Sequence, residues 1–221
     1  MKKIVTGMLL SVFLLSLLSA CFMSNPKTST GEYRHTNIRI FQDTPAWELA
    51  QAVYSQNTRR IDAIAQKSPE MLDYIDPMYG LTLLIWSVGM ERYNSAQALL
   101  RNGANPDIIG THTGGTALFL ASEFSWIDTR ANKDPRFVEL LLHYGADPNI
   151  NFVGDGRSNV LEIGTSPLMA SIGTGIEKTR ALVAGGADIN HKTETGWNAV
   201  FAALSWGEEE CSSLRGNMLI S

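Results

Sequence analysis

The sequence predicts an all-α solenoid in which short helix pairs stack side by side. Leu-Leu-Arg-Asn-Gly-Ala-Asn-Pro-Asp at 99–107 returns as Leu-Leu-His-Tyr-Gly-Ala-Asp-Pro-Asn at 141–149 and as Leu-Val-Ala-Gly-Gly-Ala-Asp-Ile-Asn at 182–190. Upstream of each copy, and again at 196–204, a glycine precedes a short apolar run. Units of this size cannot bury their own apolar face, so neighbours must stack into one continuous core. Function in such an array lies on an extended surface, which predicts a binding protein.

Each predicted repeat opens with a first helix and closes at the end of a second one. Each first helix is preceded by a hydroxyl or amide side chain that can accept a hydrogen bond from a free N–H group of the first turn. These side chains are Thr82, Thr116, Ser166 and Asn198. Pro167 suits the first helical position. The second helices are predicted to end in left-handed glycines at Gly103, Gly145 and Gly186. Small residues are expected where paired helices approach closely, at Ser87, Ala121, Ser171 and Ala203.

A β-turn followed by two antiparallel helices resembles the ankyrin repeat, whose motif runs Gly-x-Thr-Pro-Leu-His-x-Ala and closes on Leu-Leu-x-x-Gly-Ala-Asp-x-Asn. The resemblance covers about 44–204 and implies three full repeats, a degenerate N-terminal cap and a partial fourth repeat. The histidine of the motif is replaced throughout, by Ile85, Phe119, Met169 and Phe201. The resemblance is specific for the fold but does not identify the partner.

Two insertions interrupt the regular spacing. About eight residues are added between the helices of repeat two, within 125–136, and about nine lengthen the turn at 152–164. Insertions map to loops on the working face of such arrays, which makes both of them candidates for partner contact. A neutral surface loop is the alternative for each.

The chain divides into four predicted segments. Residues 1–20 are a signal peptide, 21–43 a flexible tether rich in Ser, Thr and Asn, 44–207 the repeat domain and 208–221 an irregular tail. A frayed tail, an irregular cap and a truncated reading frame would each explain the last segment.

The N-terminus predicts export and attachment to a membrane. Lys2 and Lys3 precede an apolar run at 4–18 that is short for a membrane span, and small residues follow it. Leu-Ser-Ala-Cys at 18–21 resembles the lipobox of bacterial lipoproteins, which implies lipidation of Cys21 and a position at the envelope facing the periplasm. An ordinary signal with a chance cysteine is the alternative, and Met23 could start a cytosolic form.

Composition argues against several other classes of protein. Loss of Lys2 and Lys3 with the signal leaves 16 basic against 22 acidic side chains, without basic clusters, which disfavours nucleic acid as a partner. Two cysteines provide no disulfide framework once Cys21 is lipidated. His35, His112, His143 and His191 lack neighbours at metal-ligand spacing. We therefore expect no catalytic residues, metal, cofactor or small-molecule substrate.

The candidate partner-binding residues follow from the resemblance, because ankyrin arrays contact partners through their turns and inner helices. Aromatic, methionine and acidic side chains at those places suit a binding surface. The candidates are Met78, Tyr79, Leu81, Met90, His112, Thr113, Glu123, Phe124, Trp126, Glu162, Ile163, Glu194, Trp197 and Trp206. Local packing is the alternative for any single one of them.

Architecture and compartment together resemble the ankyrin-type immunity lipoproteins encoded beside phospholipase effectors of the type VI secretion system. This resemblance implies a protein partner of lipase type, bound and occluded at the membrane that it attacks. The alternative is a periplasmic scaffold, similar to the ankyrin proteins that support catalase function.

Overall fold

A computed structural model describes residues 34–123, 125–127, 134–154 and 161–205 of the chain. The chain divides into one unit that ends at Asn37 and a second that begins at Ile38 and contains the repeats. Within the described part of the second unit, the regular secondary structure is helical, and a single isolated bridge joins Lys192 to Asn198. The predicted all-α class is confirmed.

The helices follow one another in antiparallel pairs. The first pair is α1 (Trp47–Tyr54) with α2 (Thr58–Lys67), and the second is α3 (Leu83–Gly89) with α4 (Tyr93–Arg101). The third pair is α5 (Ala117–Ser122) with α6 (Arg136–His143), and the fourth is α7 (Pro167–Ser171) with α8 (Ile176–Ala184). Residues 199–205 form a further helix, α9, and short 3₁₀ helices lie at Ile38–Phe41 and Pro69–Met71.

Helices of the same order pack against each other from repeat to repeat. Thus α3 contacts α5 and α5 contacts α7 in one layer, while α2 contacts α4 and α6 contacts α8 in the other. The core lies between these layers: every residue of α3 and α5 is buried, Trp86 and Phe119 among them. Such burial supplies most of the stability of helices that are too short to persist alone.

The caps form as the sequence predicts. The hydroxyls of Thr82, Thr116 and Ser166 accept hydrogen bonds from the backbone three residues ahead, at 3.2 Å each. Asn198 Oδ1 accepts from the N–H groups of Val200 and Phe201. At the other end of the pairs, Gly103, Gly145 and Gly186 all have positive φ, between 86° and 96°.

Side chains at the ends of the second helices tie each repeat to the next. Asp107 Oδ1 accepts the Asp147 N–H at 2.9 Å, and Asn149 Oδ1 accepts the Asp188 N–H at 2.8 Å. The Asp and Asn of the repeated Gly-Ala-Asp-x-Asn segment therefore hold the spacing of the stack.

Two sequence expectations need correction. The tether was predicted to reach residue 43, but Ile38, Ile40 and Phe41 are buried in a 3₁₀ helix that packs against α1, so the folded unit starts at Ile38. Ala203 was expected at a close helix contact, but it is exposed. Ser87, Ala121 and Ser171 are buried as predicted.

Candidate partner-binding surface

The turns that precede the first helices are here called finger turns. They lie at 76–81, at 110–115, at 193–197 and, in the third case, at the described residues 152–154 and 161–165. The first is built around the fully buried carboxylate of Asp76. Its Oδ1 accepts the N–H groups of Met78 and Tyr79 at 3.0 and 2.9 Å, and its Oδ2 accepts that of Leu81 at 2.7 Å. Because three donors fix one carboxylate, this turn presents Met78 in a defined position on the surface.

Leu81 is not part of that surface. Its side chain is fully buried, although it was predicted as a contact residue, because it follows the turn into the core rather than standing at its tip. Asp76 was missed by the sequence analysis. The signal that could have found it is an acidic residue four positions before a left-handed glycine, Gly80.

The first and second finger turns are joined by backbone and by rings. The His112 N–H donates to the Tyr79 carbonyl at 3.0 Å, and the Thr111 N–H donates to the Gly80 carbonyl at 3.2 Å. The rings of Tyr79 and His112 meet edge to face at 4.9 Å. Two predicted contact residues therefore form one aromatic unit, and both residues are partly exposed.

The long third finger turn packs onto the second through Phe152. This ring is buried and stacks on Phe119 at 5.4 Å, while the Val153 N–H donates to the Gly114 carbonyl at 2.8 Å. Gly114 has φ +65°, and a Cβ there would lie 2.4 Å from the Phe152 ring, so only glycine allows this approach.

Exposed apolar side chains flank this contact. Val153 is 53% exposed and Ile163, which lies against Gly154, is 64% exposed. Ile163 was predicted as a contact residue, whereas Val153 was missed. Val153 lies in an inserted turn, whose residues the repeat pattern does not specify.

Glu162 links the third finger turn to the fourth. Its Oε1 accepts the Thr195 hydroxyl at 2.6 Å and the Thr195 N–H at 3.4 Å. The hydrogen bond from the Thr195 hydroxyl, followed by that from Thr193, lowers the pKa of Glu162. Glu194 is exposed in the fourth finger turn, so two carboxylates lie at this end of the surface.

The remaining predicted contacts fall into three groups. Met90 is partly exposed after α3, and Trp197 is partly exposed and stacks on Phe201 with ring centroids 6.1 Å apart. Thr113 instead stabilises its own turn, since its hydroxyl donates to the carbonyls of Gly110 and Gly115. Cys21, Phe124 and Trp206 lie outside the described residues.

Trp126 lies at a different edge of the array, where the insertion of repeat two begins. Its backbone N–H donates to the Gly89 carbonyl at 2.9 Å, and its ring lies so close to Gly89 that a Cβ there would be 2.4 Å from Cε3. The predicted contact residue thus docks the insertion onto repeat one.

Glu123 lies at the same edge, in contact with a residue that the sequence analysis missed. The Lys178 Nζ donates to the Glu123 carbonyl at 3.0 Å, and Lys178 is only 3% exposed. The equivalent positions in the two preceding repeats are Ser95 and Phe137, so a lysine at a core position of α8 was the available signal.

The environment of Lys178 shifts its protonation. Burial lowers its pKa to about 8, although the charges of Asp134, Glu123 and Glu91 act in the opposite direction. Lys178 lines a small cavity whose other lining residues are Val88, Glu91, Leu120, Ala121, Ser125, Asp134 and Phe137.

In the part of the chain that the structure describes, no group of three side chains could hold a metal ion. None of its helices combines the length and the apolar character needed to cross a membrane. What the geometry supplies is an ordered edge of finger turns with accessible apolar, aromatic and acidic side chains.

Comparison with known families identifies the repeat itself. A family model described as "Ankyrin repeat" matches residues 113–151, which contain the end of the second finger turn, α5, the insertion and α6. Comparison with curated proteins gives no match. Together with the helical stack, the family match shows an ankyrin-repeat solenoid of the kind that generally binds proteins.

Proposed function

We propose that this ankyrin-repeat protein is a lipid-anchored immunity protein that binds a toxic phospholipase-type effector in the periplasm and occludes its active site. The carrying observation is the ordered edge formed by the finger turns. Met78, the Tyr79–His112 pair, Val153 and Ile163 supply accessible apolar area along it. An inhibitor that works by occlusion needs only a preformed surface of this kind.

Charge adds a second argument about the partner. Glu162 and Glu194 lie at the fourth-repeat end of the edge, and the chain without Lys2 and Lys3 has six more acidic than basic side chains. A partner with a basic rim around an apolar centre would complement this surface and associate faster at low salt.

The anchor rests on Cys21 and the residues before it. A toxin that attacks membrane lipid acts at the membrane, so its antidote is best placed there. Cys21→Ala should release the protein from the membrane fraction or leave an unprocessed precursor. Unchanged acyl labelling of this variant would refute the lipobox assignment.

Binding should depend on anchors near the centre of a standard interface of about 1,600 Å². Tyr79→Ala and Trp197→Ala should each cost about 2 kcal/mol of binding free energy, if each is buried by the partner. The matched control is Tyr144→Ala, because Tyr144 also forms an edge-to-face pair with a histidine, His143, but lies beyond the second helix α6. The affinity for the partner should be unchanged in Tyr144→Ala. Glu194→Ala should slow association and weaken its salt dependence.

The decisive experiment is a competition between neighbouring cells. A strain that lacks this protein should be inhibited by siblings that carry the effector, and rescue should require export of the protein. Equal survival against effector-armed and effector-null neighbours would refute the proposal. A loss of envelope catalase activity in the deletion strain would instead support the scaffold function.

A further inference from the structure

The described part of the array ends in an apolar face at the fourth repeat. Val200, Phe201 and Leu204 of α9 are 67%, 51% and 60% exposed. Val183, near the end of α8, is 47% exposed. These four side chains are here called the terminal face. Large apolar side chains that are exposed together, unlike a single one, mark a site of interaction.

The equivalents of Phe201 in earlier repeats pack on the repeat that follows them. Phe201 lies three residues after its helix cap, as Ile85 and Phe119 do. The Phe119 ring stacks on Phe152 of the next repeat, and Ile85 Cδ1 would lie 3.1 Å from a Cβ at Gly110 of the next repeat. Both equivalents are buried, whereas Phe201 is exposed and no further repeat follows it within the described residues.

Val200 and Val183 differ from their equivalents in the same way. The register of Val200 is buried in all three preceding repeats, at Leu84, Leu118 and Leu168. Val183 lies three residues before the closing glycine of its repeat, as Leu142 does, and Leu142 carbons would lie 2.9 Å from a Cβ at Gly185 of the next repeat. The terminal face therefore has the registers of a buried contact between repeats, and another apolar helical surface is needed to cover it.

Two charges of opposite sign flank the terminal face. Lys192 and Glu194 are exposed, and the isolated bridge between Lys192 and Asn198 places the lysine beside the start of α9. Neither side chain forms an ion pair with another described residue. In a two-fold contact both copies present the same patch, so Lys192 of one copy can pair with Glu194 of the other, and the reverse.

The charge of the chain also bears on what can cover this face. Copies with a net charge of −4 repel one another. The segment 195–205 contains no charged residue, so it adds no repulsion to a contact between two copies. An uncharged apolar helix with one lysine and one glutamate beside its start is thus complementary to itself.

We propose that the terminal face joins two copies of this chain in a two-fold symmetric dimer, with the two α9 helices side by side and parallel. The second copy supplies an apolar helix and a charge opposite to each of Lys192 and Glu194. The contact involves far fewer than the roughly 20–30 residues per partner of a standard interface, so its dissociation constant should be micromolar. The dimer goes beyond the proposed immunity function, since the finger turns of repeats one and two lie outside the terminal face.

The test is sedimentation equilibrium of the full chain in density-matched detergent micelles, from about 1 µM to about 300 µM, which brackets a micromolar dissociation constant. No effector is present, so the outcome does not depend on the proposed immunity function. The mean mass should rise from one copy toward two as the concentration increases. A mass of one copy throughout this range would overturn the proposal.

Two matched variants locate the contact. Leu204→Arg places a charge in the terminal face of each copy and should weaken dimerisation about a hundredfold. Ile75→Arg makes the same kind of change at another exposed apolar side chain, just before the first finger turn, and should leave dimerisation unchanged. Both variants should keep the helical circular dichroism spectrum. A dimer that persists in Leu204→Arg, or an equal loss in Ile75→Arg, would contradict the proposal.

An exchange of charges tests the two-fold pairing at exposed positions, where folding should be unaffected. Lys192→Glu places like charges opposite each other and should weaken dimerisation about tenfold. Addition of Glu194→Lys restores opposite charges and should return the dissociation constant to within about threefold of its original value. If the double variant associates no better than Lys192→Glu alone, the symmetric pairing is wrong and the proposal fails.

Discussion

A single methyl group at Gly89 should undock the insertion of repeat two. In Gly89→Ala the new Cβ would lie 2.4 to 2.7 Å from three atoms of the Trp126 ring, closer than side chains tolerate. The backbone of α3 is fixed by its burial, whereas Trp126 is partly exposed, so the ring is the group that moves.

The expected magnitude combines two opposing effects. Removal of a fully buried tryptophan costs about 3–5 kcal/mol, so loss of the half-buried Trp126 contact should cost about 2 kcal/mol of unfolding free energy. Alanine has a higher helix propensity than glycine, so at the last turn of α3 it stabilises the folded state by about 0.5 kcal/mol. Gly89→Ala should therefore be destabilised by about 1.5 kcal/mol, although the same change in an exposed helix is stabilising.

A double-mutant cycle isolates the contact. Trp126→Ala should cost about 2 kcal/mol, and addition of Gly89→Ala to that variant should recover about 0.5 kcal/mol, since no ring remains to clash. The coupling is then about 2 kcal/mol, measured by urea unfolding followed by circular dichroism. Additive effects of the two changes would show that Trp126 does not rest on Gly89.

Two further changes test smaller parts of the structure. Thr116→Ala should lower the unfolding free energy by about 1 kcal/mol, because the Phe119 N–H loses its acceptor, while Thr116→Ser should retain the cap and the stability in the same urea assay. Thr195→Val should raise the pKa of Glu162 toward its ordinary value by removing the hydroxyl that stabilises the carboxylate, as followed by NMR titration. Thr195→Ser should keep that pKa low, and an unmoved titration in Thr195→Val would contradict the assigned hydrogen bond.

The regular parts of this fold are local enough to be predicted from the sequence. Thr82, Thr116 and Ser166 cap helices through hydrogen bonds that span three residues, and Gly145 ends a helix through its own φ. Such interactions depend on the residue type and on its immediate neighbours. They can therefore be predicted separately from each copy of the repeat.

The burial of single side chains was harder to predict because it depends on what lies across the repeat. Leu81 occupies the position next to Gly80 at a turn, yet the Asp76 carboxylate draws its N–H inward and the side chain follows into the core. Ile38 and Phe41 follow a stretch rich in Ser and Thr, and only their packing against α1 distinguishes them from a tether.

The described residues at the base of the repeat-two insertion (Glu123, Ser125, Trp126 and Asp134) are those whose contacts local sequence patterns predict least well. Trp126 was predicted as an exposed contact because an aromatic residue in an inserted loop suits a binding surface, but its docking depends on Gly89, 37 positions earlier in the chain. Lys178 appears in the sequence as a break in a buried helix position, and its partner carbonyl belongs to the preceding repeat. Both contacts join non-adjacent segments, so the described start of the insertion is placed by the repeats on either side. If these described residues contact a partner, their position is set before binding. Changes at Gly89 or Lys178 should then alter the affinity although neither residue contacts the partner.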